Sequence, residues 1–193
     1  MKTRFHFATA LSALGLAAAL TTPLSAQYGN GKGPGPGVPV TVEPATAEEA
    51  QSLAFMREEE KLARDVYRVL FDQWKLTVFD NIARAEQRHF SAIGNLLARY
   101  SVEDPAANDI PGVYKNPELN ALYAQLTAKG KLSARDALEV GVLIEKADIE
   151  DLEKALPATT KTDIKRVYTN LLSGSYDHLE AFESCQEILQ AAQ

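Results

Sequence analysis

Glu86 and His89 are three residues apart in a stretch whose other core-facing positions are apolar. Residues three apart lie on the same face of an α-helix, and Phe79, Ile82 and Ile93 continue that face at steps of three and four. An unpaired charge on a buried face costs several kcal/mol. Carboxylate oxygens and neutral imidazole nitrogens are ligands for iron, manganese and zinc. Taken alone, the pair favours a hydrogen-bonded core pair or a misassigned stripe, and a metal site is the alternative.

Three further stretches also carry a polar break in an apolar helical stripe. Glu59 interrupts the first stretch, Glu145 the third, and Ser175 with His178 the fourth. Buried carboxylates that are packed together repel one another unless protons or cations neutralise them. Divalent cations do this directly, and the four breaks together predict a di-metal carboxylate site in a helix bundle. The predicted ligands are Glu59, Glu86, His89, Glu145 and His178.

Two assignments leave alternatives open. Glu58 and Glu60 flank Glu59 in the segment "REEEK", so the choice of Glu59 depends only on the apolar stripe of that helix. Asp148 follows Glu145 by one helical turn and could supply a further oxygen ligand. A solvated or helix-capping role fits its position equally well.

Helical patterns dominate the chain from residue 46 onward. The long predicted helices cover about 46–73, about 78–100, about 133–156 and the segment from Thr160 to near the C-terminus. Thr46 and Ser133 are predicted N-caps. A Pro-rich segment, 101–117, leads into a short amphipathic helix near 118–129. The sequence predicts an all-α four-helix bundle with a short extra helix in the crossover between helices two and three.

The first 26 residues have the layout of a secretory signal peptide. A basic start precedes an apolar run from about Phe7 to Leu20, which is well short of the ~20 residues that a membrane-spanning helix needs. We therefore expect an exported protein, periplasmic or secreted, with no membrane association. A Gly- and Pro-rich flexible leader is expected over 27–45, before a helical domain over 46–193.

Charge and cysteine content exclude several classes of site. The chain has a formal net charge of −6, and residues 1–26 contain no acidic side chain, so the remainder is more acidic still. An acidic protein is a poor partner for nucleic acid, whose phosphates attract basic surfaces. Cys185 is the single cysteine. It allows no internal disulfide, and it excludes a zinc or iron site built from several cysteines.

The chain resembles the ferritin-like superfamily, and within it the bacterial DUF2202 family, in four segments. These are "MREEEKLARDVY", "NIARAEQRHFSAI", "ALEVGVLIEKADIEDL" and "GSYDHLEAF". The resemblance covers nearly all of 46–183. It implies a bundle in which a long connection joins helices two and three.

The closest functional analogy within that superfamily is with rubrerythrins. Their pattern is Glu on helix one, ExxH on helix two, Glu on helix three and ExxH on helix four. The residues that match the first three elements are Glu59, Glu86, His89 and Glu145. The fourth element departs, because Ser175 occupies the position where the second ExxH would begin, while His178 is retained. The cysteine module of full rubrerythrins has no counterpart, so electrons would come from another, unidentified donor.

Two classes of function follow from these features. The leading hypothesis is an exported di-metal protein, with iron or manganese bound and zinc as an alternative, that reacts with Fe²⁺, oxygen or peroxide. The second is a non-catalytic module that binds a metal or interacts with a partner. In its purely structural form it binds no metal, and internal hydrogen bonds satisfy the Glu and His cluster. A homo-oligomer is compatible with both.

Overall fold

The computed structural model describes residues 42–192. Its helices are α1 (Ala47–Trp74), α2 (Thr77–Arg99), α3 (Pro117–Gly130), α4 (Ala134–Ala158) and α5 (Thr162–Ala191). No strand occurs among the described residues, and the all-α prediction is confirmed. The predicted signal peptide and residues 27–41 of the predicted leader lie outside the described part of the chain. Within that part, no helix is both long enough and apolar enough to cross a bilayer.

The two predicted N-caps are confirmed. The Thr46 hydroxyl accepts a hydrogen bond from the Glu49 backbone N–H (3.1 Å), and the Glu49 carboxylate accepts one in return from the Thr46 N–H (2.9 Å). This reciprocal capping box satisfies two amide groups that the first turn of a helix leaves free. Ser133 accepts from the Asp136 N–H (3.0 Å) and begins α4 in the same way.

The helix directions follow from contacts at the two ends of the bundle. Tyr100, at the end of α2, donates to Asp163 at the start of α5 (2.6 Å). Trp74, at the end of α1, donates to the carbonyl of Gly130, just before α4 (2.8 Å). Because α2 and α4 both run from the second end to the first, they are parallel. The connection between them, which contains α3, therefore crosses the length of the bundle, as in ferritin-like proteins.

The core consists of two apolar clusters. One surrounds the aromatic rings of Tyr67, Phe79 and Phe182, whose centroids lie 5.2–6.1 Å apart. The other contains Leu53, Ile93 and the surrounding residues Met56, Leu97, Leu152, Ile164, Tyr168 and Leu171. Each of the four long helices contributes side chains to both clusters. The polar residues predicted from the sequence fall at the level between the two clusters.

A buried polar face of α1 holds the crossover in place. Arg64 is fully buried and forms ion pairs with Asp65 (2.9 Å) and Asp109. Lys61 donates to Asp65 and to the carbonyl of Ile110, both at 2.7 Å. As a result, every residue of α1 from 56 to 67 is buried. Burial on all sides means that the apolar pattern of this helix does not reveal which face meets the other three long helices.

Candidate metal centre

Carboxylates and imidazoles from all four long helices meet between the two apolar clusters. One ligand atom each from Glu60, Glu86 and His89 lies within 4.8 Å of the others, and the same holds for Glu86, Glu145 and His178. Glu86 belongs to both groups. Each group could hold a metal ion, and the two groups have one carboxylate in common.

Glu86 lies at the centre of this cluster and is only 2% exposed. Its Oε2 atom is 2.9 Å from Nδ1 of His89, and its Oε1 atom is 2.8 Å from Nδ1 of His178. Glu60 Oε2 lies 3.3 Å from the same atom of His89, and Glu145 Oε2 lies 3.5 Å from that of His178. The two carboxylate oxygens of Glu86 therefore face different histidines.

Several polar atoms of the cluster have no hydrogen bond among the described residues. Nδ1 of His178 is close to Glu86, but the angles are not those of a hydrogen bond, and Oε1 of Glu60 accepts none. Glu60 is 1% exposed. A buried polar atom without a partner is costly, and a bound cation would supply that partner. The donor set, carboxylate and imidazole, fits iron, manganese or zinc.

Two carboxyl groups of the cluster, those of Glu145 and Glu60, have pKa values above their usual range. Burial raises the pKa of Glu145 to about 8, and the negative charge of Glu86 adds to this effect. Burial, with the charges of Asp148 and Glu86, also raises the pKa of Glu60 well above its usual value. Metal ligands of this kind must be deprotonated, so metal binding here would release protons.

The pKa values of Glu86 and of the two histidines shift toward their charged forms. Burial would raise the pKa of Glu86, but His178 and His89 outweigh it and hold that pKa below its usual value. Burial would lower the pKa of His178, but the carboxylates of Glu145 and Glu86 raise it to about 9. The pKa of His89 is raised by the same kind of contact with Glu86, against the effect of burial. Without metal, the cluster is therefore a Glu86 carboxylate between two histidines that favour the protonated form.

Two residues next to the cluster, Tyr67 and Gly174, help to position its side chains. Tyr67 is fully buried and donates a hydrogen bond to Glu145 Oε1 (2.6 Å). Its pKa is raised well above the usual value by burial and by the charge of Glu145, so the phenol stays neutral. Gly174 makes room for His89, because a Cβ atom at residue 174 would lie 2.8 Å from Cε1 of the ring. The sequence carried no signal for this role of Gly174.

Most of the predicted ligands come together in the structure. Glu86, His89, Glu145 and His178 all belong to the two ligand groups. Glu59 does not: it is 6% exposed, and its carboxyl group interacts with Asp151 on α4 outside both ligand groups. On α1 the carboxylate within these groups is that of Glu60.

The position of Glu60 has a simple geometric reason. Its helical face also contains Leu53, Met56, Tyr67 and Leu70, which are all buried at steps of three and four. The alternative stripe through Glu59 is buried as well between residues 56 and 67. A sequence pattern separates the two faces only when one of them meets solvent.

Asp148 lies beside the two ligand groups rather than within them. Its Oδ2 atom accepts a hydrogen bond from Ser175, whereas Oδ1 is buried and has no hydrogen-bond partner among the described residues. Burial and the charge of Glu86 raise its pKa to about 7. The carboxyl group therefore points into the bundle, and a solvated or capping role does not describe it.

Residues 49–190 match the model of the family described as "Uncharacterized protein domain (DUF2202)". The chain belongs to this family. This confirms the resemblance found in the sequence, and the all-helical fold is consistent with a ferritin-like bundle.

Known proteins similar to this DUF2202 chain share its fold. Over 140 residues it is 51% identical to the uncharacterized protein MJ0754 of Methanocaldococcus jannaschii, covering 72% of this chain and 76% of that protein. A crystal structure of hypothetical protein MJ0754 from Methanococcus jannaschii DSM 2661 matches with a TM-score of 0.76 and 46% identity, over 79% of this chain and 87% of that chain. A DUF305 fragment from Deinococcus radiodurans, with a TM-score of 0.57 and 13% identity over 75% and 99% of the two chains, shares the fold alone.

Proposed function

We propose that this DUF2202 protein binds two divalent transition-metal ions, iron or manganese, between its four long helices. The observation that carries the proposal is the pair of three-ligand groups that share Glu86. Because its two oxygens face different histidines, this one carboxylate would bridge both ions. Glu60 and His89 would complete one position, and Glu145 and His178 the other. Asp148 is a further candidate oxygen ligand.

We extend the proposal to redox chemistry toward Fe²⁺, oxygen or peroxide. Bound iron or manganese would polarise a small oxidant and exchange electrons with it, whereas zinc fits the same ligands without redox activity. The side chains of His89 and His178 are 15% and 11% exposed, which gives small molecules access from the α2 and α5 side.

The metal proposal is tested by loading purified, metal-free protein with Fe²⁺ or Mn²⁺ under anaerobic conditions. Elemental analysis should find up to two ions per chain. Glu86→Ala and His89→Ala should remove most of the binding, while Glu153→Ala, which changes an exposed carboxylate of α4, should leave it intact. Absence of bound metal under every loading condition would contradict the proposal.

The redox proposal needs a second measurement on the loaded protein. Addition of oxygen or peroxide to the Fe²⁺ form should oxidise the iron faster than in a solution of free Fe²⁺ at the same concentration. The rate should fall to that of free Fe²⁺ in the Glu86→Ala variant. Stable metal binding without faster oxidation would favour a non-catalytic metal-binding protein.

One observation favours the structural alternative. Glu86 is hydrogen-bonded to His89 (2.9 Å) and Glu145 accepts from Tyr67 (2.6 Å), so part of the cluster is satisfied by the protein itself. Such networks are stable when every member is paired. A protein that takes up no metal, and whose melting temperature is the same with and without added Fe²⁺ or Mn²⁺, would support this alternative.

Export is a separate part of the proposal, and it is supported by the layout of residues 1–26. Expression of the full chain in a bacterial host should yield a shortened protein in the periplasm or medium. The mass of that product gives the cleavage site. A full-length product retained in the cytoplasm would contradict export without affecting the metal proposal.

A further inference from the structure

Glu59 is buried, acidic and outside both ligand groups. It is 6% exposed, and its Oε2 atom has no hydrogen-bond partner within the described part of the chain. A buried carboxyl oxygen without a partner is costly, so its retention in the α1–α4 interface calls for a ligand or a functional reason. Neither the ion pairs of the crossover nor the two ligand groups include this residue.

Acidic side chains form a continuous line from Glu59 in both directions. On the outer side, the Glu59 carboxyl group interacts with that of Asp151. On the inner side, Glu59 interacts electrostatically with Asp148 and Glu60, and both of these interact with Glu86 or its neighbours. Asp148 Oδ1 and Glu60 Oε1 are also buried without a hydrogen-bond partner in the described region. Unpartnered carboxyl oxygens therefore occur at Glu59 and Asp148, beside Asp151, and at Glu60 within the candidate metal centre.

The outer end of this line reaches the protein surface. Asp151 Oδ1 lies 3.2 Å from Nζ of Lys154, and the Lys154 side chain is 49% exposed. Lys154 also pairs with Glu150 at 2.8 Å. Its long, flexible side chain can leave Asp151 and pair with Glu150 alone, which would open the acidic line to cations from solution. The histidines, by contrast, lie on the opposite side of the cluster, on α2 and α5.

We propose that Asp151, Glu59 and Asp148 form a cation inlet through which divalent metal ions reach the dinuclear site. The inference rests on the proposed metal binding. An ion would first replace Lys154 at Asp151, then pass Glu59 and Asp148 to Glu60 and the bridging carboxylate. Carboxyl oxygens along such a passage attract a cation, which raises its local concentration and its rate of association. Lys154 would lower that rate, because its charge competes with the incoming ion.

The test separates the rate of metal uptake from the affinity at equilibrium. Metal-free protein is mixed with Co²⁺ in a stopped-flow instrument, and the absorbance of the protein-bound ion is followed. Glu59→Gln and Asp151→Asn should slow uptake by about tenfold with an unchanged final number of bound ions. Lys154→Ala should accelerate uptake. Glu153→Gln, which removes an exposed charge from the same helix, is the matched control and should not change the rate.

Each outcome bears on the inlet separately from the metal site. Uptake rates of Glu59→Gln and Asp151→Asn equal to that of the natural protein would overturn the inlet and would indicate entry from the histidine side. Equal slowing by Glu153→Gln would overturn it too, because the effect would then come from net charge alone. If the natural protein binds no Co²⁺, Fe²⁺ or Mn²⁺ at equilibrium, the proposed function fails and the inlet fails with it.

Discussion

Ser175 of α5 donates a hydrogen bond to the carboxyl group of Asp148 on α4, across the interface between the two helices. Ser175 occupies the position where the rubrerythrin pattern has a glutamate. The residue at this position therefore supplies no carboxylate itself, but it forms a hydrogen bond with a carboxyl group of the neighbouring helix. Asp148 directs its other oxygen, which is buried and unpartnered among the described residues, into the bundle.

Asp148→Asn should weaken binding of one of the two metal ions. The substitution keeps the shape of the side chain but removes a negative charge close to Glu86 and Glu60. We expect a loss of about tenfold or more in the affinity of the weaker ion, the size of effect that groups around metal ligands have. Calorimetric titration with Mn²⁺ measures it. Asp177→Asn changes an exposed residue of α5, and an equal loss in that control would contradict a specific role of Asp148.

Glu60→Gln and Glu59→Gln should have different effects at equilibrium. Glu60 Oε2 lies 3.3 Å from His89 Nδ1 within a ligand group, whereas Glu59 contacts Asp151 outside both groups. We therefore expect Glu60→Gln to remove one ion per chain and Glu59→Gln to retain both. Elemental analysis after dialysis against Mn²⁺ gives the numbers. The opposite result would return the ligand role to Glu59, the residue that the sequence pattern favours.

The contrast between these two glutamates shows what the sequence could determine. On α2, α4 and α5 one face meets solvent, so the apolar stripes predict Glu86, His89, Glu145 and His178 at the core level, where the structure has them. On α1 both faces are covered, so an apolar stripe does not identify the face that meets the other long helices. The crossover that covers α1 is joined to it by side-chain contacts between residues about 50 positions apart, and no local pattern predicts such contacts.

Arg64→Ala should strongly destabilise the folded protein. Arg64 is fully buried, and its guanidinium group pairs with Asp65 and Asp109 and donates to Gln87 (2.8 Å). Asp65 keeps its contact with Lys61 (2.7 Å) but loses its second cation, and breaking a buried ion pair costs about 3–5 kcal/mol. Urea denaturation monitored by circular dichroism measures the change. Arg68→Ala, at an exposed position of the same helix, should cost less than about 1 kcal/mol.

The stability of the metal-free protein should fall as the pH rises from about 5 to about 9. Glu145 has a pKa of about 8 in the folded protein, against an ordinary value of 4.5, because of burial and the charge of Glu86. Above pH 4.5 the unfolded chain therefore loses this proton first, which favours unfolding. His178, with its pKa raised from 6.5 to about 9, contributes stability that is complete below 6.5 and lost toward 9. The sum is on the order of a few kcal/mol.

Melting temperatures in the presence of a chelator, measured at several pH values from 6 to 9, test this dependence. Glu145→Gln should reduce the slope, since an amide does not titrate. Saturating Mn²⁺ should reduce or reverse the slope, because metal replaces the protons and binds more tightly as they leave. A melting temperature of the metal-free protein that is constant or rises over this range would contradict the raised pKa values.

Gly174→Ala should weaken metal binding at the position of His89 without unfolding the protein. A Cβ atom at residue 174 would lie 2.8 Å from Cε1 and 2.9 Å from Nε2 of the His89 ring, closer than side-chain carbons approach one another. The ring must move, and Nδ1 moves with it away from Glu86 and Glu60. Alanine also favours the helical conformation over glycine by about 1 kcal/mol, which offsets part of the strain.

A substitution at the preceding residue, Ser173, provides the control for Gly174→Ala. Ser173→Ala changes an exposed residue of α5 and should leave both metal affinities unchanged. In Gly174→Ala, calorimetric titration with Mn²⁺ should show one affinity reduced by about tenfold, while the affinity of the position formed with Glu145 and His178 changes less. Equal weakening of both ions would mean that the alanine shifts α5 as a whole. Unchanged affinities would mean that His89 does not bind metal in the orientation described here.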